Sequence, residues 1–217
     1  MSPNFYTDKQ GRARPITPKK GGGAFVAGAV LATAVAAHSG ALGGSAAVSS
    51  SVSVGTQAAA SAKVAARSGN RSAAWRHLGI RVAREVARHN TDCAAHAYGQ
   101  VRQYFAGSPC QSLDRVLLTL ADDAGNSMVL SVSWVRMPDA GEAIRLKELV
   151  DTYGTGNVAP IGMAALEEQG ITFTGQHYDS RRDGSLVVIA ESEPASGRPS
   201  TDALDTAAEV GAQFPGR

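Results

Sequence analysis

The sequence predicts an α+β fold. An antiparallel sheet of two hairpins is covered by helices in the order α-β-β-α-β-β-α, preceded by a transmembrane or signal segment and a flexible linker. Three observations carry this expectation. Two pairs of apolar, alternating runs flank turn-forming residues, Asp123-Ala124-Gly125-Asn126 and the stretch 180–184 with its Asp183-Gly184 step. Asp92, Asp139 and Ser200 stand where helix N-caps are expected, ahead of segments with helical periodicity. The charges divide sharply: residues 1–89 hold 12 Lys/Arg and 2 Asp/Glu, whereas residues 90–217 hold 9 and 17, and no charge occurs between Lys20 and Lys63.

Residues 1–23 carry Lys9, Arg12, Arg14, Lys19 and Lys20 against Asp8, with three prolines and a triple-glycine break, and are expected to be an unstructured, basic, cytoplasmic head. Residues 24–47 are uncharged. Their apolar run AFVAGAVLATAVAA suits a signal-peptide h-region with Ala34-Val35-Ala36 as a cleavage site, while the full stretch is long enough to span a bilayer. Both readings leave the amino terminus inside and the acidic half outside. Residues 48–72 are Ser/Ala/Gly-rich and expected to be a linker, with a frayed helix over 57–67 at most.

The domain proper is expected at 73–217. Trp75, Leu78, Val82 and Val86 recur at helical spacing, so 73–89 is expected to be a basic helix with Ser72 as N-cap, packed on the acidic domain or lying on anionic lipid. A helix from Asp92 to about Phe105 ends before Gly107 and Pro109. Strands 113–121 and 127–136 follow, the second with Met128, Leu130, Val132 and Trp134 on one face and Ser131 and Ser133 on a partly wet one. Asp139 and Glu142 make a D-x-x-E start for a helix burying Leu146, Leu149, Val150 and Tyr153. Residues 154–170 are Gly-rich and without a clear period. Strands 171–179 and 185–192 form the second hairpin, and a last helix to about Phe214 faces Leu204, Ala207, Ala208 and Gly211 inward.

Candidate chemistry is sparse. His89, Cys93 and His96, with Cys110 downstream, have the residue types of a zinc site, but only if one helix runs through 89–96. The two cysteines are alternatively a disulfide candidate. A straight helix over 93–106 spans about 20 Å, which four extended residues scarcely recover, whereas a helix ending near Tyr104 allows closure. Gly154-Thr155-Gly156-Asn157 lacks the spacing and preceding strand of a phosphate loop and is expected to be a helix C-cap followed by a turn. Arg181 and Arg182, at the second hairpin's tip, are interaction candidates for an acidic partner. The pairs Asp122-Asp123, Glu167-Glu168 and Glu191/Glu193 are expected at the surface. His177, Asp179, Glu191 and Glu193 become acid/base groups only if they converge in one cleft.

The stretches CAAHAYGQV (93–101), SWV (133–135), DTYGTGN (151–157) and HYDSRRDGSLVV (177–188) resemble pieces of uncharacterised actinobacterial exported or membrane-anchored proteins of unknown function. The resemblance covers roughly 73–214. It implies a single-span or secreted layout and a cysteine bridge, with no activity to transfer. The element order is also similar to the α/β/α sandwich of PsbP- and Mog1-type domains. No cofactor is implied. A partner is expected at the membrane through 24–47 and among proteins or envelope components, but not among nucleic acids, because the folded half is acidic and aromatics are few. The function expected is that of an extracytoplasmic binding module. The alternatives are a hydrolase-like enzyme with a site near 154–193, or a cytoplasmic protein with a disordered basic head.

Overall fold

The computed structural model describes residues 5–7, 13–15 and 47–216. The apolar segment 24–47 lies outside the described residues but for Ala47, and among those described no helix is long and apolar enough to cross a membrane. Within the head, β1 (Phe5–Thr7) and β2 (Ala13–Pro15) pair antiparallel, Tyr6 opposite Arg14, where an unstructured segment was expected. The strand-favouring Phe5-Tyr6-Thr7 triplet is the local reason.

Residues 47–217 form a separate compact unit. Its fold is α+β, with a five-stranded antiparallel sheet and six helices. The elements are α1 (Ala47–Arg67), α2 (Arg71–His77), β3 (Ile80–Asn90), a 3-10 turn (Ala94–His96), α3 (Gly99–Gly107), β4 (Ser112–Asp122), β5 (Ser127–Arg136), α4 (Ala140–Val150), α5 (Met163–Glu168), β6 (Tyr178–Asp183), β7 (Leu186–Ser196) and α6 (Thr201–Ala212). The strand order is β3-β4-β5-β7-β6. Helices cover both faces. On one, Met128, Leu130, Val132 and Trp134 of β5 join Val116, Leu118 and Leu120 of β4 beneath Ala62 and Ala66 of α1, Trp75 of α2 and Leu204 and Ala207 of α6. On the other, Leu113, Val135, Val187 and Ile189 lie beneath Val101 and Phe105 of α3 and Ala143, Leu146 and Val150 of α4.

Several expectations about elements are corrected. The helix over 73–89 ends at His77, Gly79 turns the chain at φ 66°, and 80–90 is a strand. Ile80, Val82 and Val86 satisfy strand and helix patterns alike. Pairing of β3 with β4 from Ile80↔Asp122 to Asn90↔Leu113 decides between them, because β4 otherwise keeps an unpaired edge. The N-cap of α2 is Asn70, whose Oδ1 accepts from the Ala73 N–H at 3.0 Å, rather than Ser72.

The expected linker at 48–72 is instead mostly the helix α1. Its small residues allow close approach, with Ala62 and Ala66 fully buried, and the helix ends in a Schellman turn (Gly69 N–H to Ala66 O, Asn70 N–H to Ala65 O). Lys63–Glu209 and Arg67 Nε to Gln213 Oε1 tie it to α6 and the segment after it.

The strand expected at 171–179 begins only at Tyr178 and runs through Asp183, leaving Gly184-Ser185 as the loop. The backbone at 174–175 bonds to side-chain carboxylates instead of a ladder. The serine face of β5 is dry: Ser131 and Ser133 are buried because α3, α4 and the loops after them cover that side.

Candidate functional site

The cysteine region depends on a break in the expected helix. After Cys93 the chain makes a single 3-10 turn, with Asp92 Oδ1 accepting from the Ala95 N–H at 3.0 Å. Ala97 and Tyr98 are then extended, and α3 restarts at Gly99 in a new direction. That fold-back brings Cys93 and Cys110 to a Cα–Cα distance of 6.0 Å, and they form a disulfide. The zinc alternative fails on the same fact: both sulfurs are spent on each other, and His89 lies on β3 with its Nδ1 2.8 Å from Asp114 Oδ1. Among the described residues no cluster of His, Cys, Asp and Glu is arranged to hold a metal.

Gly154-Thr155-Gly156-Asn157 caps two helices at once. Thr155 Oγ1 donates toward the carbonyls of Leu149 and Thr152 at the end of α4, while the Thr155 carbonyl accepts from the Gln100 and Val101 N–H groups in the first turn of α3. Those are the amides an anion would need, and a peptide carbonyl already holds them. The approach is so close that a Cβ on Gly156, at φ 94°, would lie 2.2 Å from the Tyr98 carbonyl oxygen.

Beyond this clamp lies a buried polar layer that the sequence reading placed at the surface. In β7 the period-2 set Val187, Ile189, Glu191, Glu193 continues from apolar to acidic on one covered face. Glu191 is 5% exposed and Glu193 6%. Glu191 accepts from the Gly175 N–H and, at 3.5 Å, from Asn157 Nδ2. Glu193 accepts from the Thr174 N–H and hydroxyl, both at 2.7 Å. Burial pushes the Glu191 carboxyl up to about 7; the neighbouring Glu193 adds to this, while the bonds from Gly175 and Asn157 oppose it. The Tyr98 and Tyr178 phenols are likewise raised, chiefly by burial. A signal for the layer was present: Ser131 stands directly opposite Glu191, so polar residues line up across neighbouring strands.

A carboxyl near 7 can exchange a proton at neutral pH, but loops 155–158 and 174–175 seal it. The four groups required for the hydrolase-like reading also divide. His177 Nδ1 meets Asp205 Oδ1 of α6 at 2.7 Å, and Asp179 pairs in register with Ala190, which belongs to the α1/α6 side of the sheet. They do not share a cleft with Glu191 and Glu193. The remaining carboxylate pairs are ordinary: Asp122 organises the β4–β5 turn through the Ala124 and Asn126 amides, and Glu167 and Glu168 are exposed on α5.

The two interaction candidates separate. Arg181 is in β6, not at the tip, and its guanidinium donates from Nε to the Ala212 carbonyl at 2.6 Å and from Nη2 to the Phe214 carbonyl at 2.9 Å. It is a helix C-cap. Arg182 is exposed, and among the described residues its guanidinium bonds only to the Gly184 carbonyl of its own turn.

An open groove of about 860 Å³ runs between α1 and α6 at the start of β3. Ala59, Ala60, Leu78 and Ile80 give it an apolar floor, and Asp202, Asp205 and Glu209 an acidic wall. No protein-family model, no curated protein and no solved structure matches the chain.

Proposed function

We propose that the chain is a membrane-anchored, extracytoplasmic binding module, with its amino terminus inside, residues 24–47 as the anchor and residues 48–217 outside. One observation carries the reading: the chain's only two cysteines are bonded to each other, and such bonds persist in oxidising compartments. The basic head followed by an uncharged run fits the same orientation. Binding is favoured over catalysis because the perturbed carboxyl is sealed and the four candidate acid/base groups do not share a cleft, whereas the α1/α6 groove and the outer sheet edge are open.

The test is membrane fractionation with amino-terminal sequencing of the mature chain, combined with thiol labelling and a reporter fused after Arg217. The expected result is an intact chain in the membrane fraction, thiols that label only after reduction, and a reporter active outside the cell. A new amino terminus near Ala36 would convert the anchor into a secretion signal. A reporter active only inside, with Cys93 and Cys110 freely labelled, would remove the proposal.

A further inference from the structure

The strand β3 is the outer edge of the sheet, and its position is unusual for a strand of its length. It runs for 11 residues, pairs with β4 on one side, and among the described residues pairs with nothing on the other. Its side chains are exposed on both faces from Arg81 to Glu85 and again from Ala87 to His89, and Val82 is 42% exposed. The helical layers that cover β4 and β5 stop short of it. An edge of this kind presents a row of unsatisfied N–H and C=O groups, the template for strand addition.

Its charge is equally one-sided. Arg81, Arg84 and Arg88 take no ion pair among the described residues, and β3 holds a single acid, Glu85, which reaches toward Arg71 of α2. The register assigns the faces. Arg84, Val86 and Arg88 lie opposite Thr119, Leu117 and Arg115, whereas Val82, Glu85 and Ala87 lie opposite Leu120, Leu118 and Val116. Arg88 therefore faces Arg115 across the ladder, a like-charge pair that opposes strand pairing. Arg115 is itself buried, bound through its Nη atoms to Ala159 and Asn90, while its Nε has no partner among the described residues. None of these four arginines takes an ion pair among the described residues, although Glu85 and Asp114 stand on the same two strands.

We propose that the outer edge of β3 is a docking surface for an extended acidic segment of another protein, which adds to the sheet as a sixth strand. Cross-strand neighbours share a face, so carboxylates four residues apart on the incoming strand meet Arg84 and Arg88, with an apolar residue between them against Val86. A second copy of this chain is the disfavoured occupant: edge-to-edge pairing would set six arginines against two glutamates. The arginines thus discriminate by repelling a copy and attracting an acid. The inference supplies a surface and a partner class for the binding-module reading, but its test needs no assumption about compartment.

The experiment measures binding of a short labelled peptide with the core Glu-Thr-Val-Thr-Glu to the full chain, by fluorescence anisotropy. Parallel titrations use the same peptide N-methylated along its pairing edge, a Gln-for-Glu peptide, and the R84E/R88E variant. Saturable binding is expected, lost on N-methylation and weakened about ten-fold by the Gln peptide, since each exposed ion pair contributes a few-fold. R84E/R88E should prefer a Lys-core peptide. N-methylation leaves the protein untouched, so its result does not depend on the variant folding. Binding indifferent to N-methylation, or unchanged in R84E/R88E, would assign the attraction to the basic head and overturn the proposal. No binding, or sedimentation showing a dimer that R84E/R88E abolishes, would do so equally. If the reporter test places the domain inside while the peptide result holds, only the location is wrong.

Discussion

Replacing Glu191 with Gln should change how stability depends on pH, in a direction opposite to that of most carboxylates. Glu191 is 5% exposed, and its carboxyl rises from 4.5 to about 7 on folding. The folded chain therefore holds a proton there that the unfolded chain has released between these values, so stability is highest below 4.5 and falls as pH rises through 7. At about 1.4 kcal/mol for each tenfold change, the full loss is about 3 kcal/mol, most of which falls between pH 5 and pH 8. A glutamine is neutral throughout, and its Oε1 can accept the Gly175 N–H as the carboxylate does. Its amide must settle against Glu193 or Asn157, so about 1 kcal/mol is set aside for imperfect bonding. Glu191→Gln should then be more stable than the parent by about 2 kcal/mol at pH 8 and equal or slightly less stable at pH 5. Urea denaturation followed by the fluorescence of Trp75 and Trp134, both buried, reads this directly. The difference between the two curves is the quantity to examine, because everything but residue 191 is common to both proteins. A difference that stays constant from pH 5 to pH 8 would refute the assignment of a neutral buried acid.

Other substitutions probe the clamp and the caps. Gly156→Ala drives a Cβ to 2.2 Å from the Tyr98 carbonyl at a positive φ, and should cost about 2–4 kcal/mol in urea or thermal unfolding. Arg181→Ala removes two charged hydrogen bonds from the end of α6 and should cost about 1.5–3 kcal/mol, whereas Arg182→Ala next to it should stay within about 0.5 kcal/mol. Reducing the disulfide, or replacing Cys93 and Cys110 with Ser, opens a loop with a sequence separation of 17 and should lower stability by about 3 kcal/mol, seen as a drop in Tm.

The parts of the fold legible in the sequence are those where one local signal acts alone. The β4–β5 hairpin, the Asp139 cap with its oxygen 2.8 Å from the Glu142 nitrogen, and α6 with its Ser200 cap stand close to where turn and capping residues predict them. The parts that were not legible are decided at long range. Ile80, Val82 and Val86 fit either period, and only the neighbouring strand selects one. Ala62 and Ala66 look like spacer residues until α6 and the sheet lie against them. Glu191 and Glu193 look like surface acids because acids usually are; the stretch 171–177 helps to cover them, and its Thr174 and Gly175 amides bond these carboxylates instead of a strand. The acids and the irregular segment explain each other, and neither is readable singly.

The disulfide and the edge strand belong to one arrangement. β3 and β4 are antiparallel neighbours, yet the chain between them leaves to form the 3-10 turn and α3 before returning. Such a connection leaves the register of an edge strand weakly held, because β3 buries little and a slip would cost few apolar contacts. The last rung of the ladder is Asn90↔Leu113, and Cys93–Cys110 lies just beyond it, closing the base of the excursion. At the opposite end, the buried Ile80 follows directly on the helix that carries Trp75. The strand is thus fixed at both ends while its middle remains open on both faces. A covalent link at this position does more than shorten the unfolded chain: it holds the register of a strand whose side chains cannot hold it themselves. Reduction should therefore raise amide exchange in β3 well before it reaches β5, which is buried on both faces, and a uniform loss of protection across the sheet would show that the link acts on the unfolded state alone.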